Sequence, residues 1–367
     1  MIDQNKKYSS ANLIINNIGN LGKADITIDN NCVIAGHNNI GKSTITKILF
    51  SIIKGVTLGD KIYEDFMNKI ENLNEEEQIL EIRKLQQKHT LLRFYNLKIF
   101  IVQLKHDLYL NYVTKYLHST LGMSIIRFYE NVGYITFKCN EFELTIDFIN
   151  KGIVQLKYKG VYDWYKDATL ISSTEILNYS NLINMADTVI TEEFNKAKLI
   201  SAQDKDLIDK LNTDFIDMLD ENFNIIEGLG FDKLGYAFYK ENGNEIQMKM
   251  LGTGKKLFVM IDKLLKNKSI NSDTLVMLDE PEEGMHPEWQ LEFIEKLFKI
   301  NVPFALTTHS PYIIQSLIYY AKKDRMEVEY YTVEHFRDLG YAESKNELNP
   351  LNIIKDLTNP ILKVRGF

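Results

Sequence analysis

Residues 11–35 alternate apolar and polar side chains through "NLIINN" and "ADITID", the period of two expected of half-buried strands. They predict two antiparallel strands leading into a third, buried one around "VIA". The period then changes: Ile45, Ile48, Leu49, Ile52 and Ile53 fall at helical spacing. From about Lys61 to Leu121 the pattern stays helical around the charged segment "NLNEEEQILEIRKLQQKH", with no heptads sustained long enough for an extended coiled coil. Residues 123–165 return to a period of two in "SIIRFY", "GYITFKC", "FELTIDF" and "IVQLKYK", a β-meander with short polar turns. A second helical stretch, 182–224, is polar and acidic. It carries Leu207, Ile208, Leu211, Phe215, Ile216 and Leu219 on one face, a stripe expected to pack against its own domain.

In the last third, "MLGTGKKLFVMIDKLL" reads as a small-residue turn opening a helix with Leu257, Phe258, Ile261, Leu264 and Leu265 inward. "TLVMLD" and "VPFALTT" read as buried parallel strands separated by a helix over Pro287 to Ile300. The class is therefore α/β, with a mixed sheet, an antiparallel meander and helical insertions. No repeat, low-complexity tract or Pro/Gly-rich linker interrupts it, so one compact unit is expected. The divisions are a core of 1–57, 120–181 and 225–367 with insertions at 58–119 and 182–224.

Composition narrows the function. No run reaches the roughly 18 to 20 apolar residues of a membrane span, and no apolar stretch follows the first residues, so a cytoplasmic protein without membrane partners is expected. Cys32 and Cys139 stand far apart without ligand-spaced partners, which argues against a zinc site or a disulfide framework. The net charge of −7 does not supply the basic field of a dedicated nucleic-acid binder, although Lys151, Lys157 and Lys159 form a local basic patch.

The chemistry begins where the third strand ends. Gly36-His37-Asn38-Asn39-Ile40-Gly41-Lys42-Ser43 fits G-x-x-x-x-G-K-[ST], in which backbone N–H groups cradle phosphates, the lysine reaches the terminal ones and the hydroxyl ligates Mg²⁺. A glycine turn before an exposed lysine would share the pattern, but the flanking strand and helix favour the phosphate loop. "TLVMLDEP" ends a strand in Asp279 and Glu280, adjacent acids suited to holding Mg²⁺ and polarising a water. "VPFALTTHSP" ends the next strand in Thr307, Thr308, His309 and Ser310, placing an imidazole where a γ-phosphate sensor would sit. All three motifs then lie at the carboxyl ends of neighbouring parallel strands. The turn Gly252-Thr253-Gly254 with Lys255 would form a second anion site at a helix start.

Taken in order, these motifs resemble the ABC-type P-loop ATPase heads of the SMC, RecF and OLD group. "NIGNLGKADITIDNNCVIAGHNNIGKST" and "DEPEEGMHP" are similar to OLD-like ATPases of bacterial anti-phage systems such as Septu and Gabija. The resemblance implies that Gly36, Asn39, Gly41, Lys42, Ser43 and Thr44 bind ATP phosphates, Asp279 with Ser43 holds Mg²⁺, Glu280 is the general base and His309 senses the γ-phosphate. It further implies that Gly252, Thr253, Gly254 and Lys255 act on ATP held by a second, head-to-tail subunit, giving a homodimer or higher oligomer that sandwiches two ATP. The implied role is a molecular switch controlling a separate effector protein. A DNA-repair or chromosome-maintenance ATPase acting directly on nucleic acid is the alternative.

The chain also departs from that pattern. Gly252 stands where transporter ATPases carry the signature serine, with a hydroxyl one residue later at Thr253. The glutamine that links Mg²⁺ to a moving lobe has only Gln103 and Gln155 as candidates. A Toprim nuclease domain would have to follow the ATPase, but the 57 residues after Ser310 end in "NPLNIIKDLTNPILKVRGF" with no cluster of acids to hold metal, so an internal nuclease is not expected.

Overall fold

Three strands open the chain, as the alternation requires: β1 (Ala11–Ile18), β2 (Leu21–Ile28) and β3 (Asn31–Ala35). Three helices follow, α1 (Lys42–Ile70), α2 (Glu75–Lys88) and α3 (Leu97–Leu121). The meander is β4 (Val132–Cys139), β5 (Phe142–Ile149) and β6 (Gly152–Lys159), after which come β7 (Asp167–Ile171) and α4 (Ala202–Asn212). A small antiparallel sheet of β8 (Gly228–Phe231), β9 (Ala237–Glu241) and β10 (Asn244–Gln247) precedes α5 (Thr253–Lys266). The chain closes with β11 (Thr274–Asp279), α6 (Pro287–Ile300), β12 (Phe304–Thr308), α7 (Pro311–Asp324), β13 (Glu329–Phe336), β14 (Tyr341–Asn346) and α8 (Leu351–Val364). This computed structural model describes residues 8–88, 97–122, 132–149, 152–174, 176–177, 201–212, 228–231, 237–336 and 341–364. The expected strand over "SIIRFY", together with Lys151, Phe215, Ile216 and Leu219, lies outside them.

Among the described residues eleven strands form one mixed sheet in the order β6-β5-β4-β1-β2-β14-β13-β3-β12-β11-β7. One side is antiparallel; on the other β13, β3, β12, β11 and β7 run parallel. The central parallel strands carry the apolar runs Cys32–Ala35, Leu275–Leu278 and Phe304–Leu306 because both faces are covered. Cys32, Ile34, Leu275, Met277 and Ala305 enter a core with Ile45, Ile48 and Ile52 of α1 and Val113 of α3. Their neighbours Val33, Ala35, Val276, Leu278 and Leu306 enter the opposite core with Leu257, Phe293 and Ile313. Burying two faces of one sheet supplies the main stabilisation of a domain of this size.

The boundary drawn at 57/58 falls inside α1, which runs unbroken from Lys42 to Ile70. The helix that begins at the phosphate loop therefore continues into the segment read as an insertion. Val113 and Leu117 of α3 are buried in the central core, and only the far ends of α1 and α3 make a satellite cluster with α2 around Phe66, Ile82 and Phe100. Leu207, Ile208 and Leu211 of α4 are buried against the core below α5. No described helix is long and apolar enough to cross a membrane. Both cysteines are buried, and burial pushes the Cys139 thiol up to about 12, so neither is a poised nucleophile.

A charged knot fixes α1, β7 and α4 together. Lys54 Nζ lies 2.7 Å from Asp167 and 2.6 Å from Asp206, while Lys210 Nζ lies 2.7 Å from Asp167. Burial pushes the Asp167 carboxyl up, but Lys210 and Lys54 outweigh it and hold it below the ordinary carboxylate range. That contribution to stability is present above the unfolded pKa and is lost as pH falls through the folded one. Lys54→Met strips one cation from two acids that stay in place. It should lower unfolding stability by about 2 to 4 kcal/mol, read as a shifted urea midpoint; an unchanged midpoint would deny the knot a structural role.

Candidate functional site

Strand order brings the motifs together. β12 lies between β3 and β11, with Thr308 paired to Ala35 and Thr307 paired to Asp279. The phosphate-loop sequence leaves the end of β3, the acids end β11, and His309 follows the strand between them.

The loop's shape explains its glycines. Gly36 has φ +152°, and a Cβ there would lie 2.6 Å from the Val333 carbonyl oxygen and 2.5 Å from Ile40 Cδ1. No other residue fits. The Gly36 N–H donates to the Thr308 carbonyl, and Asn39, in the left-handed region at φ 62°, is held by the Asn20 amide at its carbonyl oxygen, 3.1 Å away. Ile40 is buried as the loop's anchor. α1 starts at Gly41 without a side-chain cap, and α5 starts at Gly252 likewise, whereas α6 and α7 are capped by His286 and Ser310. The Thr44 N–H turns back to the Gly41 carbonyl at 3.1 Å, so the N–H groups before it in the first turn of α1 are the ones that no side chain caps, the condition for binding an anion.

The side chains converge. Lys42 is 3% exposed, donates to the His37 carbonyl oxygen at 2.7 Å and pairs with Glu280 Oε1 at 2.9 Å. Ser43 Oγ donates to Asp279 Oδ1 at 2.8 Å, and Thr307 Oγ1 donates to the same oxygen at 2.5 Å. Glu280 sits in the left-handed region at φ 48°, uncommon for a non-glycine residue and typical of strained functional turns. Its N–H is held by the Thr307 carbonyl and hydroxyl, both at 3.1 Å. His309 Nδ1 stands 3.4 Å from Glu280 Oε2. Lysine, two acids, hydroxyls and imidazole therefore form one continuous cluster.

The donor set suits a hard divalent cation. Ser43 and Asp279 offer two oxygens in mutual contact, and among the described residues no group of three or more His, Cys, Asp or Glu is arranged so that it could hold a metal ion by itself. Mg²⁺ commonly takes one or two protein oxygens and fills its remaining positions with water and phosphate. The residues present fit that ion.

The signature residues separate. Thr253 lines the same narrow cleft as Asp279 and Glu280, together with Ser172, Ser173 and Thr174 from the end of β7. Gly254 is closed in by Trp289 and Met285, since a Cβ there would lie 2.9 Å from the indole. Lys255 turns away: its ammonium lies 2.7 Å from Glu241 and 4.8 Å from the Tyr239 ring centre, in a groove of about 710 Å³ between α5 and α6. It is not part of the cluster around Lys42.

Neither glutamine candidate reaches the cleft. Gln155 is exposed on β6, at the opposite end of the sheet from β11 and β7, and Gln103 is exposed on α3. A different glutamine, Gln203 of α4, donates to Ser172 Oγ at 3.1 Å. Sequence reasoning missed Gln203, Ser172 and the clamp by Thr307. A pair of threonines closing an apolar strand, "FALTT", was the available signal for the last.

Comparisons with known proteins stand beside this geometry. No family model matches the chain. The Retron Vc95 probable ATPase of Vibrio cholerae serotype O1 biovar El Tor is 29% identical over 138 residues, covering 33% of this chain and 26% of that protein. The match thus spans about a quarter of the relative's length. Among solved structures, the SMC head domain from Thermotoga maritima has a TM-score of 0.45 and 11% identity, covering 93% of this chain and 99% of that one. The Smc head domain with an extended coiled coil, bound to the C-terminal domain of ScpA derived from Pyrococcus furiosus, has a TM-score of 0.45 and 10% identity, with 98% and 100% covered.

Proposed function

We propose that the chain is an ATP-binding and hydrolysing molecular switch of the ABC type. The observation that carries this reading is the convergence of Lys42, Ser43, Asp279, Glu280 and His309 at the ends of three adjacent parallel strands. The loop N–H groups and Lys42 would hold the phosphates, and Ser43 with Asp279 would hold Mg²⁺, which supplies charge neutralisation at the transferred phosphoryl group. Glu280, fixed by Thr307 and free of metal duty, takes the proton of the attacking water. His309 lies against Glu280 and would touch the terminal phosphate. The partial match to a probable ATPase supports the same activity.

Following the OLD-like resemblance, the active form would be a head-to-tail homodimer with two ATP between subunits, in which the uncapped turn at Gly252, Thr253 and Gly254 meets the partner's nucleotide. Lys255 joins that contact only by leaving Glu241. Closure would be read by a separate effector chain in a bacterial anti-phage complex.

Phosphate release from Mg-ATP by the purified chain tests the enzymatic reading. Turnover abolished by chelating Mg²⁺ is expected. ATP bound intact for hours would leave a nucleotide-binding scaffold instead.

A further inference from the structure

Glu282, two residues past the proposed base, is a third carboxylate at the cleft, and its side chain is 2% exposed. Burying an acid is costly unless donors meet it. Its Oε1 accepts from the Thr308 hydroxyl at 2.6 Å and from the His309 N–H at 2.8 Å, and lies 3.4 Å from His309 Nδ1. Its Oε2 is buried with no hydrogen-bond partner, and among the described residues no lysine or arginine pairs with it. Burial pushes the carboxyl up, against the pull of the Thr308 and His309 donors. Packing alone would be served as well by a leucine or methionine of similar volume, without an orphan oxygen.

Its three contacts fall on Thr308 and His309, two on the histidine and one on the residue before it. The hydroxyl of Thr308 and the N–H of His309 fix the main chain from which the imidazole projects, and Thr308 Oγ1 in turn accepts from the Ser310 N–H at 2.9 Å. Gln290 closes the far side by accepting from the Ser310 hydroxyl and donating to the Met285 carbonyl. Nδ1 of the ring faces both Glu280 and Glu282, each at 3.4 Å, within reach of their charge but without a formed hydrogen bond. Nε2 is the nitrogen left for the cleft.

We propose that Glu282 is a positioning residue for ATP hydrolysis, acting through His309: its carboxylate pins the histidine's main chain and fixes which ring nitrogen faces inward. This rests on the ATPase reading above. The sequence shows Glu282 only as one more acid in "DEPEEG"; its register against Thr308 and His309 appears only once β11 and β12 are paired.

Two measurements on the full chain decide it. In a double-mutant cycle, Glu282→Gln should keep ATP affinity within about twofold and lower turnover by about 10- to 100-fold, as loss of a partner behind a functional group does. Glu282→Gln combined with His309→Ala should turn over no more slowly than His309→Ala alone, because the two act as one unit. Losses that multiply, or an unchanged Glu282→Gln, overturn the proposal; a merely structural role would multiply. Independently of turnover, ¹⁵N NMR of histidine-labelled protein, with the His309 signals assigned by their absence in His309→Ala, should show one fixed ring tautomer in the wild type and an altered pattern in Glu282→Gln. Identical spectra would overturn the coupling. A wild type without hydrolysis, but with the Glu282-dependent ring signature, would remove the ATPase reading and leave the positioning contact.

Discussion

Lys42→Ala should weaken ATP binding by at least about 100-fold in a calorimetric titration. Hydrogen bonds to charged groups contribute about 1.5 to 3 kcal/mol each, and the ammonium is the one cation in the phosphate loop, Gly36 to Ser43. In the structure that ammonium is pinned between the His37 carbonyl and Glu280, 3% exposed and directed across the cleft. A phosphate oxygen entering there would meet a donor already fixed in place, so little ordering cost opposes binding. The loop is also anchored independently through Ile40 and the Gly36 N–H. The loss should therefore be one of affinity and not of fold. Unchanged ATP affinity would remove the phosphate-loop assignment.

Glu280→Gln should behave differently, retaining ATP and slowing its hydrolysis by about 100- to 10,000-fold, the usual contribution of a general base. Glutamine keeps the length of the side chain and tolerates the left-handed backbone no worse than glutamate does. It no longer neutralises Lys42, which leaves that cation wholly to the phosphates, so affinity should hold or rise. If closure of two subunits is driven by ATP and ended by hydrolysis, the variant should accumulate as a dimer, visible by light scattering with ATP and absent without it. A variant that stays monomeric with ATP would remove the sandwich arrangement while leaving the base assignment untouched.

Much of this site was legible in the sequence because each motif is local. A strand, a turn and a helix start lie within some twenty consecutive residues, and the phosphate loop, the paired acids and the histidine each announce themselves by residue type and position after an apolar run. The bounds of α6, Pro287 to Ile300, were set by a proline at the first turn and an asparagine in the left-handed region after the last. What stayed hidden depends on strand register between distant segments. Thr307 clamps Asp279 from 28 positions away, and Glu282 reaches Thr308 from 26, contacts that exist only after β11 and β12 align. Periodicity likewise does not tell a helix that projects from one that lies on the sheet. α3 has apolar residues on several sides, and the core shows that Val113 and Leu117 face the sheet while Phe100 and Leu104 face α2 and the end of α1. The glutamine near the cleft, Gln203, lies on a helix in a segment read as a polar, acidic insertion, so nothing local marked it.

The central claim is that one chain both holds and cleaves ATP with the cluster at the ends of β3, β12 and β11. The most direct test is to incubate wild type and Glu280→Gln with Mg-ATP, quench, and identify the protein-bound nucleotide by anion exchange. Wild type should carry ADP and release phosphate, and Glu280→Gln should carry intact ATP. Intact ATP in both, or ADP formed at the wild-type rate by the variant, would contradict the account.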